Sequence, residues 1–145
     1  AVPAGSLTWF KPAQKTGLYA GGFSTVLDVE GSPWTNSEAA LAGLFPTIGA
    51  QLTFSGGGLA SNLVCTVEEG QANGKTLKLT SSSTGFTSGS IDLANGQLTF
   101  IFSETNGTKV SAVTASGTVL QNTNLGGGFF LGATSATNGT FKLTP

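Results

Sequence analysis

Short runs of alternating apolar and polar residues, cut by Asn-Gly and other glycine turns, constrain this chain more than any other feature. Phe23, Thr25, Leu27 and Val29 lie on one face, opposite Ser24, Val26, Asp28 and Glu30. Leu52 and Phe54 alternate with Gln51, Thr53 and Ser55, and Leu59, Leu63, Cys65 and Val67 share one parity. The same rhythm returns at Leu77 and Leu79, at Leu98, Phe100 and Phe102, and at Phe141 and Leu143. A period of two places these sets on one face of a strand, so the repeated pattern predicts antiparallel strands with one buried face. Asn-Gly recurs at residues 73–74, 95–96, 106–107 and 138–139. It is the strongest short hairpin signal, because a type I′ turn needs positive φ at both central residues.

The expected architecture is all-β: an antiparallel β-sandwich or a small β-barrel of about eight to ten short strands. The clearest hairpin joins Ile91–Leu93 to Leu98–Phe100 through Asn95-Gly96. Phe86 and Ser88 hold one phase while Ile91 and Leu93 hold the other, which predicts a β-bulge at Gly89-Ser90. A second hairpin turns at Asn106-Gly107 into Val110–Val113. Gly31 to Gly49 breaks the rhythm with Pro33, Trp34, Pro46 and the string Glu38–Ala42. A long connection is expected there, with at most one short helix near 37–43, capped by Ser37 and covering an open end of the sheet.

At 145 residues the chain has the length of one domain, drawn over 1–145 with residues 1–5 as a flexible leading segment. Its lone cysteine, Cys65, lies in an apolar run and reads as a small buried hydrophobe. There is no histidine, and all six cations are lysines. That removes the commonest general base, the commonest metal ligand and the bidentate phosphate clamp. A net charge of −1 without a basic cluster argues against nucleic acid as a partner. Charged residues are only 9% of the chain, with Gly, Ser, Thr and Asn in their place, so little repulsion opposes self-association. No apolar run has the length of a membrane helix, and the strands look shorter than the roughly 9–11 residues of a membrane barrel. The opening Ala1-Val2-Pro3-Ala4 reads as the start of a mature secreted chain.

Further elements occur in order along nearly the whole chain. They are Leu7-Thr-Trp9-Phe-Lys11-Pro12, Tyr19-Ala-Gly-Gly22-Phe23, Val29-Glu-Gly31-Ser32 and the run from Leu52 to Gly57. Thr84-Gly85 to Gly89-Ser90, Gly117 to Gln121, Gly127 to Gly132 and the closing Leu143 to Pro145 complete the set. In these the chain resembles a recurrent β-unit at the C-terminal ends of large secreted or surface proteins of environmental bacteria. The resemblance implies a secreted all-β module with no known catalytic role. The chain departs from that pattern at Trp34, where the pattern has Tyr, and in its shortage of charge, and the expectation is that it stands as a short chain of its own, not as the tail of a larger one.

Candidate chemistry is sparse. The carboxylates are Asp28, Glu30, Glu38, Glu68, Glu69, Asp92 and Glu104. Asp28 and Glu30 share a strand face and read as a solvated pair. Together with Glu68 and Glu69 they are weak calcium candidates, since no Asp-x-Asp-x-Asp loop is present. No Gly-x-Ser-x-Gly elbow occurs, and no cofactor or catalytic residue is indicated. Lys78 and Lys142 point to solvent by parity. Trp9, Phe10, Tyr19 and Trp34 cluster in the first 34 residues as candidate polysaccharide or subunit contacts, with Trp34 expected to be the most exposed; the other expectation is that Trp9 and Tyr19 cap the core and close the barrel. Asn106-Gly-Thr108 and Asn138-Gly-Thr140 match the glycosylation sequon and read as turns. In Leu125–Gly132 the glycines are expected to supply close backbone approach within a penultimate strand. One of Phe129 and Phe130 then fills the core and the other faces a neighbouring subunit. The terminal strands Ser6–Phe10 and Thr140–Thr144 carry one lysine between them, a light guard for sheet edges. Strand donation between subunits is one expectation, and pairing of both strands within the same domain is the other. The functional expectation is a non-catalytic, extracellular, self-assembling surface or filament subunit. The alternatives are a carbohydrate-binding or adhesion module and a small-ligand-binding barrel.

Overall fold

A computed structural model describes residues 4–133 and 137–145. The contacts fall into two compact units, Ala1–Pro33 and Trp34–Pro145. The first is a two-stranded antiparallel hairpin of β1 (Ala4–Lys11) and β2 (Phe23–Glu30). The second is a closed antiparallel barrel of eight strands: β3 (Ala50–Gly56), β4 (Leu63–Asn73), β5 (Thr76–Thr80), β6 (Phe86–Asp92), β7 (Gln97–Asn106), β8 (Lys109–Leu120), β9 (Leu125–Leu131) and β10 (Asn138–Thr144). Each barrel strand pairs with the next in sequence, and β10 closes on β3. The alternative of a sandwich is thus resolved in favour of the barrel.

Closure corrects the reading of the C-terminal strand as an edge. Phe141 faces Phe54 on β3 and Gly128 on β9, so β10 is paired on both sides. The leading segment is corrected in part. Ala4 and Gly5 belong to β1, opposite Glu30 and Val29, while residues 1–3 lie outside the described residues.

Alternation sorts the barrel walls as expected. Leu52, Phe54, Cys65, Val67, Leu77, Ile91, Leu98, Phe100, Phe102, Phe130 and Leu143 are buried inside. Outside stand hydroxyls and lysines, including Thr53, Thr76, Lys78, Thr140 and Lys142. An eight-stranded barrel is just wide enough for side chains to fill it. Phenylalanines do so here. The Phe54 ring lies 4.2 Å from Phe102 and about 6 Å from Phe100, Phe130 and Phe141.

Two of the Asn-Gly hairpins are present with a different turn. Asn73 pairs with Thr76 and Asn106 with Lys109, so the two-residue loops are Gly74-Lys75 and Gly107-Thr108. Only the first central residue has positive φ, 61° at Gly74 and 62° at Gly107, the pattern of a type II′ turn. The β6–β7 loop is four residues long. There the Asp92 carboxylate accepts from Ala94 N–H, and Gly96 N–H donates to the Asp92 carbonyl at 2.7 Å. The bulge lies at Thr87, between the Phe86–Phe102 and Ser88–Ile101 pairs, not at Gly89-Ser90. Gly89 is needed for another reason: a Cβ there would stand 2.8 Å from the Phe100 ring. Asn138-Gly139 is no turn; it opens β10. Gly139, with Gly57, leaves the slot that the Phe130 ring fills.

The segment from Trp34 to Gly49 covers one end of the barrel, as expected. One turn of 3₁₀ helix spans Glu38–Leu41, although Ser37 makes no side-chain capping bond. Leu41, Leu44 and Phe45 enter the core. Gln121 accepts from Thr35 N–H at 2.7 Å and donates back to the Thr35 carbonyl at 3.0 Å. Near the other end the buried Glu104 carboxylate accepts from Ala133 N–H at 2.8 Å.

Candidate functional site: an exposed apolar hairpin face

The register of β1 and β2 sorts their side chains into two unlike faces. Leu7 lies opposite Leu27, Gly5 opposite Val29, Trp9 opposite Thr25 and Lys11 opposite Phe23. The other face carries Ser6 opposite Asp28, Thr8 opposite Val26, Ala4 opposite Glu30 and Phe10 opposite Ser24. The hairpin is therefore amphipathic. The apolar side is exposed, with Leu7 at 56%, Trp9 at 54%, Val29 at 45% and Leu27 at 37%, and the more polar side also exposes Phe10 and Val26. Alternation predicts that the Leu27 and Val29 face is buried. That pattern reports which side is apolar, not what covers it.

The loop from Pro12 to Gly22 adds one aromatic ring, Tyr19, to those of Trp9 and Phe23. Phe23 meets Trp9 edge-on at 5.3 Å and Tyr19 edge-on at 5.5 Å. Tyr19 holds a left-handed backbone, φ 53°, which is costly for a residue with a Cβ. Its carbonyl accepts from Gly22 N–H at 2.9 Å and from Lys11 Nζ at 3.3 Å. Gly22, at φ 71°, is required there, because a Cβ would stand 2.6 Å from the Lys11 carbonyl oxygen. Ala4, Gly5, Leu7, Val29 and Glu30 border a shallow depression of about 450 Å³ at the open end of the hairpin.

The other expected contact residues separate. Phe10 is exposed on the polar face of the hairpin. Phe129 and its strand neighbour Leu131 are exposed on the outer wall of β9, whereas Phe130 is buried and offers no contact surface. Trp34 is corrected. It packs against the core, its Nε1–H donates to the Leu93 carbonyl at 2.8 Å, and its ring covers Gly96. We expect acrylamide to quench Trp9 emission readily and to leave a blue-shifted, protected component from Trp34. Trp9→Phe then removes the quenchable component and Trp34→Phe the protected one. The reverse assignment would place Trp34 at the surface.

The carboxylates do not converge. Asp28 and Glu30 share the polar face of β2 and are exposed. Glu68 and Glu69 are neighbours on β4, so their side chains leave opposite faces and cannot grip one ion together. Burial pushes the Glu69 carboxyl above its usual range, and the Glu38 carboxylate adds to the shift. No group of three or more His, Cys, Asp or Glu suited to a metal occurs among the described residues. Burial also raises the Cys65 thiol, partly offset by a hydrogen bond with Ser83. A depression of about 500 Å³ lies on the outer wall of β5–β7, with Thr76, Lys78, Ser88, Ser90 and Thr99 in its lining. No helix among the described residues is long and apolar enough to cross a membrane.

No family model, curated protein or solved structure matches the chain.

Proposed function

We propose that this protein is a non-catalytic, self-assembling structural subunit of an extracellular surface or filament. The observation that carries this reading is the β1–β2 hairpin, amphipathic with its apolar face exposed. A lone two-stranded hairpin is marginal in water and gains stability from further strands or a packed face. Its outer edges have no strand partner among the described residues, and such edges recruit strands from other chains. The occupant we assign is a second copy. A charged content of 9% gives weak repulsion between copies. Joining the β2 edge of one copy to the β1 edge of the next is a heterologous contact, which extends into a filament when it does not close. Leu7, Leu27 and Val29 are 56%, 37% and 45% exposed, so covering what remains contributes only a part of the about 1.5–3 kcal/mol of full burial for each.

Sedimentation and electron microscopy of the purified chain test this. The expected result is concentration-dependent growth into regular fibres or arrays, lost in a Leu27→Lys, Val29→Lys variant whose barrel still melts normally. A wild-type chain that stays monomeric at high concentration sinks the reading, and so does a variant that assembles undiminished.

The Trp9, Tyr19 and Phe23 cluster favours a second reading, a carbohydrate-binding or adhesion surface, since exposed aromatic rings stack on sugars. It requires Trp9 emission to shift when polysaccharide is added to the monomeric variant. A silent Trp9 and a blank glycan array would remove it. The filled barrel interior weighs against a small-ligand carrier. The polarity of the barrel, apolar inside and hydroxyl-rich outside, is the inverse of a lipid-facing barrel's and supports a protein that does not insert into membranes.

A further inference from the structure

Four Asn-Gly pairs occur in the chain, and the fold gives them two unlike environments. Asn73-Gly74 and Asn106-Gly107 are exposed at the tips of two-residue hairpins, β4–β5 and β7–β8. A Cβ on Gly74 or Gly107 would meet nothing within 4 Å, so the space beside both glycines is open. Asn95-Gly96 is held. Asn95 Oδ1 accepts from Gln97 N–H at 2.9 Å, Gly96 N–H donates to the Asp92 carbonyl at 2.7 Å, and Trp34 covers Gly96. Asn138-Gly139 is held more tightly. Gly139 is paired with Phe130 on one side and Gly56 on the other, beneath the Phe130 ring.

We infer that Asn73 and Asn106 are sites of spontaneous covalent self-modification, and that the barrel protects Asn95 and Asn138. In this step the Gly74 or Gly107 backbone nitrogen gives its proton to solvent base and attacks the Asn Cγ. The new N–Cγ bond closes a succinimide, and the Cγ–Nδ2 bond breaks with loss of ammonia. Water then opens the ring at either carbonyl, leaving aspartate or its β-linked isomer. The attack needs the Asn-Gly backbone to leave its extended geometry. Each exposed tip is closed by one terminal pair, Asn73–Thr76 or Asn106–Lys109, and frays at lower cost than a strand paired on both sides. Freeing Asn95-Gly96 requires Trp34 to lift from Gly96, and freeing Asn138-Gly139 requires both ladders of β10 to part. Each event replaces a neutral amide by a carboxylate, beside Lys75 at one tip and within three residues of Lys109 at the other.

The test is peptide mapping by mass spectrometry of the folded chain held at mildly alkaline pH, beside the same chain in denaturant. The expected result is amide-to-acid conversion at Asn73 and Asn106 in the folded chain, with Asn95 and Asn138 intact, and conversion at all four when denatured. An Asn73→Gln, Asn106→Gln variant keeps the folded spectrum and loses the conversion. Folded-state conversion of Asn95 or Asn138 at the rate of the tips overturns the inference. So does an intact Asn73 or Asn106 over the interval in which the denatured chain converts.

Discussion

A Gly128→Val chain does not form the barrel, and Gly128→Ala forms it with a large loss of stability. Gly128 on β9 faces Gly117 on β8 across the inside of the wall. A Cβ on Gly128 would collide with the Ser116 carbonyl oxygen and stand 2.6 Å from the Gly117 Cα and 2.5 Å from the Phe141 ring. Two of these three obstacles are backbone atoms held in the β8–β9 ladder, so no rotamer relieves them. Overpacking commonly costs about 1–3 kcal/mol and more where the backbone must move. Against a total stability on the order of 5–15 kcal/mol, alanine takes much of the margin and valine exceeds it. Gly127→Ala is the control. Its Cβ meets only the Phe141 carbonyl oxygen, at 3.6 Å, and we expect a melting temperature within a few degrees of the wild type. Circular dichroism melts of the three variants decide this. Equal melting of Gly127→Ala and Gly128→Ala would refute the close-approach account.

Phe54→Ala is expected to destabilise the barrel by about 3–5 kcal/mol, the range for removing a fully buried phenylalanine. Phe54 is fully buried and its ring is in contact range of four others, so no single neighbour can swing in to fill the space. Chemical denaturation should show a lower midpoint with an unchanged slope. The exposed Phe129→Ala, on the same barrel, should change stability by less than about 0.5 kcal/mol. A Phe54→Ala loss as small as that of Phe129→Ala would mean that the phenylalanine cluster is not the centre of the core.

Local signals carried the strands well, because period-two alternation and glycine turns act within a few residues. Cys65 and the interior sets of β3, β5 and β7 follow from parity alone. What local signals missed depended on partners distant in sequence. Trp34 reads as exposed beside Pro33, yet it is half-buried because Leu93 and Gly96, some sixty residues on, lie beneath it. The Asn138-Gly139 pair has the composition of a turn, but the bulk of Phe130 requires a glycine there. The Gly-Gly-Gly run gives no hint that residue 128, more than 127, meets a neighbouring backbone.

The candidate site divides in the same way. Trp9, Phe10 and Tyr19 were legible as a cluster, and the apolar parity of Leu27 and Val29 was legible as a face. Their exposure was not. Alternation records that one side of a strand avoids water, and burial of that side requires a third element to reach it.

By itself, then, the sequence determined the all-β class, a count of about eight to ten strands, the phase of β3, β5 and β7, and a chemistry poor in charge and without histidine. Tertiary structure alone decided barrel over sandwich, because closure depends on β10 finding β3 across some ninety residues. It also decided which glycines are indispensable. Those outcomes depend on distances between segments far apart in the chain, which no local period encodes.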